Sequence, residues 1–303
     1  MTPPEPTGFS EEDSVAVVTA SFADTPHPRL QQIMTSLVHH LHGFVKDVEP
    51  TEQEWQRAVD FLTDVGHTCD DTRQEFVLLS DVLGVSMLVD AINHRKPAGS
   101  TDSTVLGPFH MVESPRRELG ADISLDHNGD PCVFAGRVRS SDGTPLPGAR
   151  VDVWQANGAG YYDVQQPDVQ PERNLRGLFV ADEQGAFRLR TVVPRYYPIP
   201  DDGPVGRLLA ATARHPNRPA HIHVIAEADG HVPLTTHVFV EGSPYLDSDT
   251  VFGVKQSLIR PVTVVDDPAR AAHHGVTNPF RLIEFDVILE PVVLEPLPDG
   301  TRS

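Results

Sequence analysis

Cysteine is nearly missing from this 303-residue chain: Cys69 and Cys132 are the only two. A pair of thiols 63 positions apart does not make a disulfide framework, so the fold must be held by a buried core. Positive charge is also scarce, with 24 Lys and Arg against 43 Asp and Glu, a net charge of −19. That balance opposes non-specific nucleic-acid binding, which needs cations to neutralise phosphates, and it opposes docking on an anionic membrane surface. No run of 18 apolar residues occurs, which leaves no candidate spanning helix. The start, Met1 to Pro6 followed by Glu11, Glu12 and Asp13, lacks the basic and apolar segments of a secretory signal. The expectation is a cytoplasmic protein. There is no glycine-rich phosphate loop, internal repeat or low-complexity tract. Tyrosine is sparse too, and all five lie between positions 161 and 245.

What is present divides by period. Residues 10–95 read as helical. Thr51 and Glu54 form a capping box, after which Trp55, Ala58, Val59, Leu62 and Val65 recur every three or four positions. Ile33, Leu37, Leu41 and Phe44 make a second stripe. Phe76, Leu79, Leu83, Met87 and Ala91 make a third, closed by Pro97 and Gly99. After the polar joint 96–103 the period becomes two. Val133 to Val138, Val151 to Trp154, Phe187 to Val192, His221 to Ile225, Thr235 to Val240 and Phe285 to Leu289 read as short strands between turns. The expected class is α+β: a helical region over 1–100, then an antiparallel β-sandwich domain over 101–303.

The chemistry concentrates in that second part. In Arg218-Pro219-Ala220-His221-Ile222-His223 the histidines stand at i and i+2, which on a strand puts both imidazoles on one face. Two adjacent neutral nitrogens suit a metal; two surface histidines are the alternative. Four tyrosines form adjacent pairs on loops upstream, Tyr161-Tyr162 after Asn157-Gly158-Ala159-Gly160, and Tyr196-Tyr197 within the proline-rich 194–200. Aromatic loop anchors would explain one such pair more readily than two. Phenolate is a hard anionic donor suited to ferric iron, and two phenolates with two imidazoles leave Fe(III) a net charge of +1. The usual ferrous set of two histidines and a carboxylate has no matching carboxylate here. Three readings stay open on the residues alone: a ferric enzyme, a zinc or copper protein using the histidine pair, and a non-catalytic β-sandwich binding module.

In combination, these motifs carry a resemblance. Leu106-Gly107-Pro108-Phe109, Trp154 to Asn157, Gly160-Tyr161-Tyr162, Pro194 to Pro200, Arg218 to His223, Ala228-Asp229-Gly230 and Leu234-Thr235-Thr236 resemble, in this order, the intradiol ring-cleavage dioxygenases. The segments 79–91 and 197–206 look most like the hydroxyquinol-cleaving branch. The resemblance implies Fe(III) held by Tyr162, Tyr197, His221 and His223, with Arg218 beside the substrate. It implies that Tyr197 leaves the metal when a benzenediol binds and takes up a substrate proton. The reaction implied is opening of 1,2,4-trihydroxybenzene (hydroxyquinol) by O2 to 3-hydroxy-cis,cis-muconate or its tautomer maleylacetate; catechol and chlorocatechol are the alternative substrates. The substrate wall it implies is Leu78, Asp81, Val105, Leu106, Gly107, Pro108, Phe109, Ile199, Pro200, Arg218 and Val251. Asp81 would accept a hydrogen bond from the third ring hydroxyl, and His237 would support the iron ligands. Homodimerisation through the helical region, with a bound phospholipid there, is implied as well.

Overall fold

The computed structural model describes residues 8–71, 73–96, 99–110 and 114–292. The expectations placed on Met1 to Pro6 and on Pro97 lie outside the described residues. The chain divides into two compact units, 1–64 and 65–303.

The first unit is helical. Helix α1 (Ser14–Ala20) is followed by α2 (Pro28–Val48), with Pro28 at the first turn and His27 as the cap. Helix α3 (Glu52–Thr68) begins at the expected capping box. There Glu54 accepts from the Thr51 backbone N–H at 2.8 Å, and the Thr51 hydroxyl accepts from the Glu54 N–H at 3.2 Å. The stripe Ile33, Leu37, Leu41 and Phe44 on α2 is 46% to 60% exposed.

The second unit takes in the last turn of α3 and continues with α4 (Glu75–Val82) and α5 (Val85–Asn93). The sequence reads these as one helix from Phe76 to Ala91; the structure makes them two. Gly84 stands at φ +73°, a left-handed conformation that costs glycine little, and it turns the chain in mid-stripe.

Among the described residues twelve strands follow: β1 (Pro131–Ser140), β2 (Arg150–Gln155), β3 (Arg176–Val180), β4 (Ala186–Val192), β5 (Tyr197–Pro198), β6 (Asn217–Arg218), β7 (His221–Glu227), β8 (Leu234–Val240), β9 (Ile259–Arg260), β10 (Thr263–Val265), β11 (Phe280–Glu284) and β12 (Val287–Leu289). Two short helices, α6 (Pro204–Ala211) and α7 (Pro268–His274), interrupt the series. One large sheet runs β10-β11-β1-β12, with β4 also on β1; the other large sheet runs β3-β2-β7-β8-β9, and β5 and β6 form a two-stranded third. Pairing is mixed rather than purely antiparallel, since β1 runs parallel to β11 and β12, and β8 parallel to β9. In the first sheet β11 and β12 return beside β1 after a long connection, which permits parallel pairing where a tight hairpin would not. Both large sheets feed one core. Phe134, Val138 and Leu189 from the first pack with Val151, Val153, Val224 and Val238 from the second.

The central strand β7 positions the site. Its Ile222, Val224 and Ala226 enter the sandwich core. By alternation His221, His223 and Ile225 face the other way, under the loops that carry the tyrosines.

Candidate metal centre

The strand register assembles the histidines. In β7, His221 and His223 are successive same-face residues. Across the ladder His223 pairs with Trp154 on β2 and His237 on β8. The Trp154 ring stacks on His223 at 4.5 Å and 12°, fixing its plane.

The loops bring the phenols. Beyond β2, the Asn157 carboxamide oxygen accepts from the Ala159 and Tyr161 N–H groups, tightening the turn. Gly160 sits at φ +87°, and a Cβ there would meet the Tyr196 carbonyl at 2.9 Å and Tyr197 Cβ at 3.3 Å. Only glycine lets the two tyrosine loops close on each other. Tyr162 then turns inward at the start of a 3-10 turn, Asp163–Gln165. The proline-rich segment 194–200, expected to be irregular, contains the short strand β5, which pairs with β6 so that Tyr197 lies opposite Arg218. None of Tyr162, Tyr197, Arg218, His221, His223 and His237 is more than 3% exposed.

The donor atoms converge. The Tyr162 oxygen lies 3.2 Å from the Tyr197 oxygen, 3.0 Å from His223 Nε2 and 3.5 Å from His221 Nε2. The Tyr197 oxygen lies 3.4 Å from His221 Nε2, and the two histidine Nε2 atoms are 3.2 Å apart. The Pro219 carbonyl sits 2.7 Å from His221 Nδ1 and accepts a hydrogen bond from its N–H, which leaves Nε2 as a bare lone pair turned onto the other donors. Ligand atoms about 2.0–2.2 Å from one cation stand roughly 3 Å apart, so the set fits a metal. Burial, together with the Arg218 charge, pushes His221 well below the ordinary imidazole range; burial and the neighbouring histidines do the same to His223. Both are therefore neutral, as ligands must be. Burial raises both phenols, that of Tyr162 furthest with Tyr197 adding to it, while Arg218 pulls the other way at each.

Around this core stand residues that pattern reading did not single out. Asp249 takes Arg218 in a fork, Nε to Oδ1 at 3.1 Å and Nη2 to Oδ2 at 3.3 Å, and also accepts from the Gly253 N–H. The fork leaves Arg218 Nη1 3.4 Å from His221 Nε2, aimed at the donor cluster. Thr104 hydrogen-bonds His237 at Nδ1. His237 completes a buried group of three histidines able to hold a metal ion, its ring 4.2 Å from that of His223. No sequence signal ties Asp249 to Arg218, 31 residues away, or Thr104 to His237, 133 away.

The expected substrate wall divides. Leu78, Asp81, Val105, Leu106, Gly107 and Pro108 line one cavity of about 650 Å³. Phe109 instead packs its ring on Tyr162 at 4.6 Å, and Arg218 belongs to the donor cluster. Ile199 and Val251 pack with Leu78, and Pro200 is half-buried beside them in sequence. Asp81 is 6% exposed, and burial pushes its carboxyl above the usual range, partly offset by Ser86 and Arg218. Of the remaining tyrosines, Tyr161 is exposed, and Tyr196 packs on Tyr245 at 5.3 Å.

Comparison with known proteins points to one family. The family profile described as Dioxygenase matches residues 107–291, and that of the Catechol dioxygenase N terminus matches 27–101. A hydroxyquinol 1,2-dioxygenase from Rhizobium sp. is 52% identical over 93% of this chain and 96% of its own. A 6-chlorohydroxyquinol 1,2-dioxygenase from Cupriavidus pinatubonensis is 50% identical over 94% of this chain and 99% of its own. Among solved structures, hydroxyquinol 1,2-dioxygenase from Pseudomonas putida superposes with a TM-score of 0.87 at 46% identity, covering 93% of this chain and 98% of that one. With both profiles matched in order and the tyrosine and histidine donors brought together, the chain belongs to the intradiol ring-cleavage dioxygenase family.

Proposed function

We propose that this chain is a ferric, non-haem intradiol dioxygenase that opens hydroxyquinol between its two adjacent hydroxylated carbons. The observation that carries the reading is the convergence of two buried phenol oxygens on the Nε2 atoms of His221 and His223. Neither a zinc or copper site built on the histidines nor a binding module accounts for phenols turned onto that pair. The relatives named for hydroxyquinol and 6-chlorohydroxyquinol support the substrate. One ring C–C bond breaks, both atoms of O2 enter the product, and the ring supplies all four electrons, so no external reductant is consumed. The product is 3-hydroxy-cis,cis-muconate, or maleylacetate after tautomerisation.

Tyr162, Tyr197, His221 and His223 would hold the iron. Bound ferric iron supplies the Lewis acidity that takes both substrate oxygens as a dianion and the covalency that opens the ring to dioxygen. Tyr197 is the proton acceptor: burial favours its protonated form, so as a phenolate it is a strong base toward a ring hydroxyl. Arg218, fixed by Asp249, presents Nη1 to developing negative charge and cannot deprotonate. Phe109 and Trp154 exclude water by packing on Tyr162 and His223. His237 steadies the ligands through its contacts with both histidine rings.

Asp81 accepts from the third ring hydroxyl. Asp81→Asn is therefore expected to lower kcat/KM for hydroxyquinol about 10- to 100-fold while changing catechol much less. Equal losses on both substrates would remove Asp81 from the specificity assignment. Oxygen uptake with hydroxyquinol, catechol and chlorocatechols side by side tests the function itself. Hydroxyquinol should be fastest; a catechol rate well above it would refute the substrate claim.

The helical region, residues 1–100, serves homodimerisation in this reading. The exposed stripe from Ile33 to Phe44 supports a second copy covering that face, with a phospholipid held there. Sedimentation equilibrium should return twice the 33.2 kDa chain mass, and native mass spectrometry a lipid adduct; a monomer would refute both. Among the described residues no helix is long and apolar enough to cross a membrane, and we place the enzyme in the cytoplasm.

A further inference from the structure

Arg176 is 1% exposed and takes no part in the chemistry above. It opens β3, 14 residues beyond Tyr162. Its Nε donates to Asp163 Oδ1 at 2.8 Å and Oδ2 at 3.0 Å, and its Nη2 to Oδ1 at 2.6 Å. Its third nitrogen, Nη1, donates to the Phe109 carbonyl at 2.7 Å. Asp163 is the residue after Tyr162 and is itself buried. Phe109 ends the 106–109 segment, whose Gly107 leaves room for His223: a Cβ on Gly107 would meet His223 Cε1 at 2.9 Å. One guanidinium thus joins the loop carrying a donor phenol to the loop carrying part of the substrate wall, and the Phe109 ring on Tyr162 makes a second link between them.

We propose that Arg176 is a positioning residue that locks the Tyr162 loop and the 106–109 loop into one unit, so that metal ligand and substrate wall keep a fixed spacing. The proposal rests on the ferric dioxygenase reading. A planar five-donor fork suits the task, because one face can hold a carboxylate while the remaining N–H reaches a carbonyl in another direction. Lysine offers a point charge on a flexible stem and cannot hold both partners in that geometry. A buried pair of this kind adds little net stability compared with an apolar replacement, which argues for placement rather than stability as its use.

The two ends of the clamp can be read separately in iron-loaded protein. Arg176→Lys frees the Phe109 side, and KM for hydroxyquinol should rise about tenfold while kcat changes less than about threefold. Asp163→Asn keeps the volume but releases the Tyr162 side. It should shift the tyrosinate-to-iron charge-transfer band and speed iron loss to a chelator about tenfold. A role limited to stability would lower the melting temperature of both variants and leave KM, band and iron-loss rate at their wild-type values; that result overturns the clamp. Should Arg176→Lys not fold, the band and iron-loss rate of Asp163→Asn decide alone. A wild-type protein that is colourless when iron-loaded, or takes up no oxygen with any diol, overturns instead the functional reading on which the clamp rests.

Discussion

Tyr162→Phe is expected to hold iron at least about 10³-fold more weakly than wild type and to lose nearly all oxygen uptake. The reason is charge. Two phenolates and two neutral imidazoles reduce a trivalent ion to +1. Removing one phenolate leaves +2 in a pocket whose donors are no more than 3% exposed. The neighbouring buried carboxylates are already engaged, Asp249 by Arg218 and Asp163 by Arg176, so neither is free to take the place of the phenolate. Tyr197→Phe should weaken iron binding similarly but keep a charge-transfer band from Tyr162, while the double variant should be colourless. Unchanged spectra in both single variants would show the ligand assignment to be wrong. The same site gives a pH dependence with a definite sign. Without metal, burial keeps both phenols protonated at neutral pH, while the histidines are already neutral. Loading expels the phenolic protons, so apparent iron affinity should rise with pH.

Arg218→Met is expected to combine two losses. It strips the partner from Asp249, a carboxylate 5% exposed, and breaking a buried pair from one side costs about 3–5 kcal/mol of stability. It also removes the cation aimed at the donor cluster, which should lower kcat about 10²- to 10³-fold. Adding Asp249→Leu separates the two. The double variant should regain most of the melting temperature, because no uncompensated charge remains, and none of the activity. Recovery of activity in the double variant would contradict a chemical role for Arg218.

The histidine pair of the candidate site was legible because its spacing is local. His221 and His223 at i and i+2 need only a strand to share a face, and β7 is that strand. The capping box at Thr51 was legible for the same reason: it is complete within four residues. Other features depended on partners far away in the chain. Nothing near Gly84 says that the apolar stripe turns there rather than running on, since leucine and valine flank it as they would inside a helix. The parallel return of β11 and β12 onto β1 joins residues about 150 positions apart. Asp249, Thr104 and Arg176 look like ordinary surface or turn residues until the fold buries them against Arg218, His237 and Asp163. The substrate wall was legible through resemblance rather than pattern, and only part of it lines a single cavity.

The most direct measurement is the visible spectrum of the protein reconstituted with ferric iron, recorded before and after anaerobic addition of hydroxyquinol and again after admitting O2. A tyrosinate charge-transfer band is expected, and it should shift when the triol binds. On oxygenation the band returns, with one O2 consumed per ring and both oxygen atoms found in the ring-opened dicarboxylate. An iron-loaded protein without that band, or one that consumes O2 without placing both atoms in the product, would contradict the ferric dioxygenase reading.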